Sequence, residues 1–372
     1  MPPKKVRVDF RKNRLERTRI GDWTRKFEEH GFEEESEVAV ERIGGKSELS
    51  RKRTVVGELA ENDTDFDILP DVNTERLLAG RVLRVHGVSS VVQTEDGRQF
   101  QCVTRRILKT LTTEQRQPVV TGDRVLIRPA PMANEAMIER VEPRIGTIAR
   151  TSKQRKHVIV ANVDQVLIVA SADQPALKPN LIDRMILTAE QSGVRPVICI
   201  NKIDLVDPAG LQPLVGVYAQ MGYKVLLLSV ETGFGMDHFR RLLTNQSSVV
   251  AGQSGVGKSS LLNAVDPHLQ LRVAEIGNAQ KGKHTTTTAE LIQLSFGGYV
   301  VDTPGMRQFM LWDIIPEEVF GLFRDLRPYE NRCHFPDCTH SHEENCAIKF
   351  AVGEGRLDLR RYESYLAIRF GK

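Results

Sequence analysis

The chain has 372 residues, of which 40% are apolar and 27% charged, with a formal net charge of +4. At roughly 150 residues per domain this length implies two or three domains, and the composition excludes global disorder and a staple-dependent miniprotein. Five cysteines, an odd number, argue against a disulfide framework and for a reducing compartment. No run approaches the roughly 18 uninterrupted apolar residues of a membrane span, and the start, MPPKKVRVDF, lacks the apolar core of a secretory signal.

The mild average charge hides a local one. Met1 to Lys26 holds ten Lys/Arg against three acids, and FEEHGFEEESEVAVE then turns acidic. Residues 1–74 are expected to be a basic then acidic extension, largely disordered when free. Its basic front has the character of an arm that binds phosphate backbones without reading sequence, a pattern that a solvated tail shares.

Residues 75–150 alternate apolar and polar positions in short runs, broken at Gly87 and at Glu95-Asp96-Gly97, a tight hairpin signal. Several short strands in that length predict a small antiparallel barrel, of OB or SH3-like type. From His157 the pattern becomes strand and helix in alternation. Residues 151–312 therefore read as an α/β domain with a mainly parallel sheet.

Gly252-Gln253-Ser254-Gly255-Val256-Gly257-Lys258-Ser259 satisfies G-x-x-x-x-G-K-[ST], between the apolar SVVA and the helical LLNAV. Its glycines allow several N–H groups to converge on one phosphate. Lys258 supplies charge for the β- and γ-phosphates, Ser259 a hydroxyl for Mg²⁺, and the helix N-terminus a partial positive charge. Asn201-Lys202-Ile203-Asp204 follows the strand-like VICI. A carboxylate such as Asp204 accepts from both N1–H and the exocyclic amine of guanine, donors that adenine lacks. Asn201 can brace the loop, the Lys202 stem can lie over the base, and Ser229 and Val230 sit where a second base-supporting loop belongs. Asp302-Thr303-Pro304-Gly305 ends another strand-like run. There Asp302 can hold the metal through water and the Gly305 N–H can sense the γ-phosphate. Between lies Lys281-Gly282-Lys283-His284-Thr285-Thr286-Thr287-Thr288, where a threonine can complete the Mg²⁺ shell.

These motifs are complete but rotated. The base-reading pair precedes the phosphate loop, which precedes the threonine run and DTPG. A site assembled from loops at the carboxyl ends of neighbouring strands permits such reconnection. Residues 313–372 then carry Cys333-x4-Cys338-x-His340-x5-Cys346. Three thiolates and an imidazole match a closed tetrahedral zinc site, structural because no position stays open. His334 and His342 lie nearby, so spacing leaves the histidine less certain than the cysteines. Helical patterns, PEEVFGLFRDLRPY and RLDLRRYESYLAIRF, flank the cluster. Cys102 and Cys199 sit in apolar strand settings and read as core.

The OB-like barrel, the rotated NKID, GQSGVGKSS, GKHTTTT and DTPG, and CFPDC-x-H-x5-C together resemble the RsgA (YjeQ) family of circularly permuted GTPases. The resemblance covers roughly residues 75–365. It implies a permuted P-loop GTPase domain with an N-terminal OB-type β-barrel and a C-terminal zinc-binding helical domain. It implies a GTP hydrolase that is slow alone, stimulated by the small ribosomal subunit, and active in late maturation of that subunit. Contacts with 16S-type rRNA, a cytoplasmic location, a monomer and no membrane partner go with it. Carried over by position, GTP/GDP contacts fall on Asn201 to Asp204, Ser229, Val230 and Gly252 to Ser260. Magnesium falls on Ser259 and Thr286, one structural zinc on Cys333, Cys338, His340 and Cys346, and catalysis on Lys258 and His284. Three departures stand out: the long extension, Val230 in place of the usual alanine, and the apolar Met306 where many GTPases carry a water-orienting glutamine.

Overall fold

Valine alternating with charged residues builds strands even before the barrel. In KKVRVD and KRTVVGEL the alternation has the period of a strand. Lys4–Asp9 (β1), Lys52–Leu59 (β2) and Ile68–Pro70 (β3) form an antiparallel sheet with Val6 opposite Val55. These three strands lie within residues 1–74, the stretch expected to be a basic then acidic extension. The structure, a computed structural model, describes residues 4–9, 52–59, 68–70, 77–105, 108, 118–130, 134–152, 155–271, 289–302 and 316–371.

The chain divides into two compact units. The first contains a closed barrel of Leu78–His86 (β4), Ser89–Thr94 (β5), Gln99–Thr104 (β6), Arg124–Pro129 (β7) and Glu135–Val141 (β8). Its order is β4-β5-β6-β8-β7, closed by β4 pairing with β7. β6 bypasses its sequence neighbour to pair parallel with β8, an order of OB type. Gly97, at φ +83°, lets the β5–β6 hairpin turn, and its N–H donates to the Thr94 carbonyl at 2.9 Å. Val82, Val92, Phe100, Ile127 and Ile138 fill the interior together with Cys102, whose thiol burial pushes up to about 12. Asp123, fully buried, accepts from Arg144 Nε at 2.7 Å and fixes the turn before β7. Two further strands, Ile148–Ser152 (β9) and Arg155–Val160 (β10), follow.

The second unit is built on parallel pairings. Gln165–Ser171 (β11), Arg195–Asn201 (β12), Lys224–Leu227 (β13), Ser247–Ala251 (β14), Glu290–Gln293 (β15) and Tyr299–Asp302 (β16) lie in the order β13-β12-β11-β14-β16-β15. β11 to β14 and β16 are all parallel to one another. The order reverses between β11 and β14, so the loop after β14 opens at a topological switch point. Helix Pro179–Gln191 (α1) has proline at its first position and buries Ile182, Met185, Ile186 and Ala189, a 3.6-period stripe. Gln212–Gln220 (α2), Met236–Leu243 (α3) and Lys258–Val265 (α4) follow.

The carboxyl end belongs to this same unit. The helix expected across residues 316–329 is shorter, Val319–Leu322 (α5). Phe323 leaves it at ψ 106° and places its ring edge-on to Tyr365, with centroids 5.8 Å apart. Ala347–Gly353 (α6) and Leu359–Phe370 (α7) complete the fold, α7 capped by Asp358 and by Gly371 at φ +68°. Arg361 of α7 is buried. It forms an ion pair with Asp183 of α1, Nη1 to Oδ1 at 2.5 Å, and forks onto both oxygens of Asp325 at 2.9 Å.

Candidate functional site

Four of the motif segments end or follow parallel strands at their carboxyl ends: 201–204 after β12, 229–230 after β13, the glycine loop after β14, and Asp302 as the last residue of β16. The loop conformation demands its glycines. Gly252 (φ +145°) lies where a Cβ would meet the Val169 carbonyl oxygen at 2.2 Å, and Gly257 (φ +91°) where one would meet Asn201 Nδ2 at 2.4 Å. Between them Val256 is buried in the core as a plug, while Ser254 faces solvent. Lys258 opens α4, and its ammonium donates to the carbonyls of Gly252 (2.9 Å) and Gln253 (2.7 Å). Ser259 and Ser260 fill the first turn of α4.

The base-reading segment is joined to this loop directly. Asn201 is buried at the end of β12 and donates through Nδ2 to the Val256 carbonyl at 2.9 Å. Lys202 takes a left-handed conformation, φ +60°, and its ammonium donates to the Gln174 carbonyl. Ile203 is buried and anchors the turn, leaving Asp204 exposed. The Ser229 hydroxyl is buried and donates to Asp204 Oδ1 at 2.5 Å while accepting from the Thr232 N–H at 3.1 Å. One carboxylate oxygen is thus held by the protein, and the group is fixed for a pair of donors. Val230 is partly exposed beside it. His284, Thr286, Gly305 and Met306 lie outside the described residues, as does the side chain of Asp302.

Sγ of Cys333, Cys338 and Cys346 and a ring nitrogen of His340 all lie within 4.8 Å of one another. Cys333 Sγ and Cys346 Sγ stand 3.9 Å apart, and they lie 3.4 and 3.5 Å from His340 Nδ1. Zinc–sulfur bonds of about 2.3 Å at tetrahedral angles give sulfur–sulfur edges of about 3.8 Å, so the donor set has the size and chemistry for zinc. Burial holds His340 below the usual imidazole range, in the neutral form that ligates. Its ring stacks on Phe320, centroids 4.7 Å apart. His334 and His342 are exposed and absent from the cluster. Burial first, then neighbouring sulfurs, push the Cys338 thiol up to about 12, a balance that a dication among the thiols reverses.

The sequence profile of the family described as RsgA GTPase matches residues 141–312. The small ribosomal subunit biogenesis GTPase RsgA of Sodalis glossinidius (strain morsitans) is 40% identical over 296 residues, 77% of this chain and 83% of that protein. This chain belongs to the RsgA GTPase family. YjeQ from Thermotoga maritima is similar in structure with a TM-score of 0.65 at 33% identity, covering 79% of this chain and 98% of that one. YloQ, described as a circularly permuted GTPase, gives a TM-score of 0.62 at 28% identity over 81% of this chain and 96% of that one. The fold class read from the sequence stands, and as an RsgA GTPase the chain is a GTP-hydrolysing enzyme that uses GTP/GDP and magnesium. No helix among the described residues is long and apolar enough to cross a membrane.

Sequence reasoning missed three contributors. The Gln174-Pro175 turn after β11 receives Lys202 and approaches Gly255, where a Cβ would lie 3.7 Å from Pro175 Cδ. Two prolines in DQPALKP were its only signal. Glu343 accepts from the Thr339 N–H at 2.6 Å and the Ser341 N–H at 2.9 Å, on either side of His340. Burial would raise its carboxyl, but these hydrogen bonds outweigh it and hold Glu343 at about 2. The Asp183–Arg361 pair joins α1 to the zinc-bearing end across a sequence gap that no local pattern spans.

Proposed function

We propose that this RsgA GTPase hydrolyses GTP on the small ribosomal subunit, whose binding stimulates turnover, and assists late maturation of that subunit. The observation that carries the reading is the Asn201–Val256 hydrogen bond, which makes the guanine-reading turn and the phosphate loop one unit. The name carried by the relative from Sodalis glossinidius, small ribosomal subunit biogenesis GTPase, supports the choice of partner.

Asp204, oriented by Ser229, accepts from guanine N1–H and amine; Asn201, Lys202 and Ile203 shape the pocket around the base, with Val230 at its edge. The N–H groups from Gly252 to Ser260 enclose the phosphates, and Lys258 faces the developing charge on the γ-phosphate. Magnesium, held by Ser259 and Thr286 with Asp302 acting through water, neutralises phosphate charge when bound. The Gly305 N–H senses the γ-phosphate, and His284 orients the attacking water that Met306 cannot. Cys333, Cys338, His340 and Cys346 hold one structural zinc. The barrel and the zinc-bearing end contact 16S-type rRNA, and the chain works as a cytoplasmic monomer.

The test is GTP turnover with and without purified small subunits, across a salt series. Stimulation that weakens as salt rises is the expected result, because phosphate contacts release counterions. A full rate in the free protein, unchanged by subunits, would overturn the reading. A His284→Ala variant that keeps stimulated turnover would remove only the histidine's role.

A further inference from the structure

Two left-handed residues meet beside the glycine loop. Gln174 has φ +51° and Lys202 φ +60°, and neither is a glycine. Side-chain-bearing residues rarely adopt this backbone, and those that do gather where the surrounding structure imposes it for a function. Here a single contact joins the pair: the Lys202 ammonium donates to the Gln174 carbonyl. The two turns start in register, because Ser171 of β11 lies opposite Asn201 of β12 and the Ala172 N–H donates to the Asn201 carbonyl at 2.8 Å.

The same turn runs on to the phosphate loop. Pro175 Cδ lies 3.7 Å from where a Cβ on Gly255 would stand. Ala176, Leu177 and Lys178 line a cavity together with Gln253. Residues 174–178 therefore border both nucleotide loops, within one compact unit. Gln174 is exposed and its bond to Lys202 faces solvent, so the contact adds little to the core. What it does fix is direction. A free lysine side chain spreads over many rotamers, whereas one tied to a fixed carbonyl is laid down before the nucleotide arrives.

We infer that Gln174 is a positioning residue for the guanine nucleotide: its left-handed backbone aims the carbonyl that orders Lys202 for its place at the base. The inference rests on the place proposed above for Lys202. Ordering a side chain in advance removes that cost from binding, so it acts on affinity. It does not act on the edge of the base, where Asp204 keeps the choice of purine.

Gln174→Val disfavours the left-handed conformation, and Gln174→Gly adopts it freely. Lys202→Met keeps the stem and removes the ammonium. Affinities for GDP and xanthosine diphosphate are measured for each variant and for Gln174→Val combined with Lys202→Met. Gln174→Val is expected to weaken GDP binding about threefold to tenfold, the cost of ordering one rotamer-rich side chain, with the preference for guanine over xanthine unchanged. Gln174→Gly is expected to restore the affinity. In the Lys202→Met background, Gln174→Val should lose nothing further. Additive losses in the double variant, an equal loss in Gln174→Gly, or an altered base preference would overturn the inference. If Lys202→Met leaves GDP affinity intact, the proposed place of Lys202 falls and takes the inference with it. If Lys202→Met weakens GDP binding and Gln174→Val does not, the inference alone falls. If Gln174→Val does not fold, the order of the isotopically labelled Lys202 ammonium decides, read by NMR in the nucleotide-free chain. A restrained ammonium supports the tether, and a freely moving one sinks it.

Discussion

The side-chain amide of Asn201 lies 2.9 Å from the carbonyl of Val256, so the strand that reads the base also braces the loop that holds the phosphates. Replacing Asn201 with alanine strands a buried carbonyl, at about 1–3 kcal/mol. GDP affinity measured by fluorescence titration is expected to fall between about fivefold and a hundredfold, with a similar loss for GTP. An unchanged affinity would mean that the loop holds its shape without Asn201.

Gly257 is constrained twice, by its φ of +91° and by the 2.4 Å that separates a Cβ from Asn201 Nδ2. Gly257→Ala is expected to abolish nucleotide binding in calorimetry while leaving the far-ultraviolet circular dichroism intact. Combining it with Asn201→Ala supplies the missing space but not the backbone conformation, so the double variant stays inactive. Recovery in the double variant would show that space was the whole constraint.

Asp204 sets the choice of base through paired acceptors, with Ser229 holding one oxygen. Asp204→Asn turns the acceptor facing the guanine 2-amine into a donor, while its carbonyl oxygen still accepts from N1–H. Competition between GTP and xanthosine triphosphate, whose purine presents an acceptor at position 2, is expected to shift toward the xanthine nucleotide. Retained guanine preference would place base discrimination elsewhere.

Chelation is expected to release one zinc per chain and to unfold residues 333–346 while GDP binding persists. His340→Ala should lose the metal, and His334→Ala and His342→Ala should keep it, read by elemental analysis of the purified proteins. Glu343 ties the turn that presents His340, so Glu343→Ala is expected to weaken zinc retention by about ten- to a hundredfold in a competition assay.

Arg361 neutralises Asp183 in a setting closed to water, beneath the ring of Phe323, whose centroid lies 4.4 Å away. Arg361→Met leaves a buried carboxylate without its cation and is expected to cost about 3–5 kcal/mol in urea unfolding. Adding Asp183→Leu removes the stranded charge, and much of that loss should return.

Local chemistry made much of this molecule legible. The glycines of 252–257, the NKID turn and the cysteine spacing each express a short-range demand, so the nucleotide loops and the metal cluster could be placed from their own residues. Spacing left the histidine ligand open among three candidates; burial and the approach of Nδ1 to two sulfurs single out His340. The barrel type was equally open, because strand propensity says nothing about which strand β6 pairs with. Long-range pairings were invisible for the same reason: nothing around Asp183 announces Arg361. In the extension, charge density masked the valine alternation that forms β1 and β2.

The Asp183–Arg361 pair also bears on how the chain is made. Translation delivers α1 early, with a carboxylate destined for a fully buried position and its cation still uncoded at the exit. Until α7 emerges, that face of α1 must stay hydrated. The nascent second unit therefore completes its packing only after α7 has been made, and a chain that stalls before Arg361 keeps that flank of α1 open.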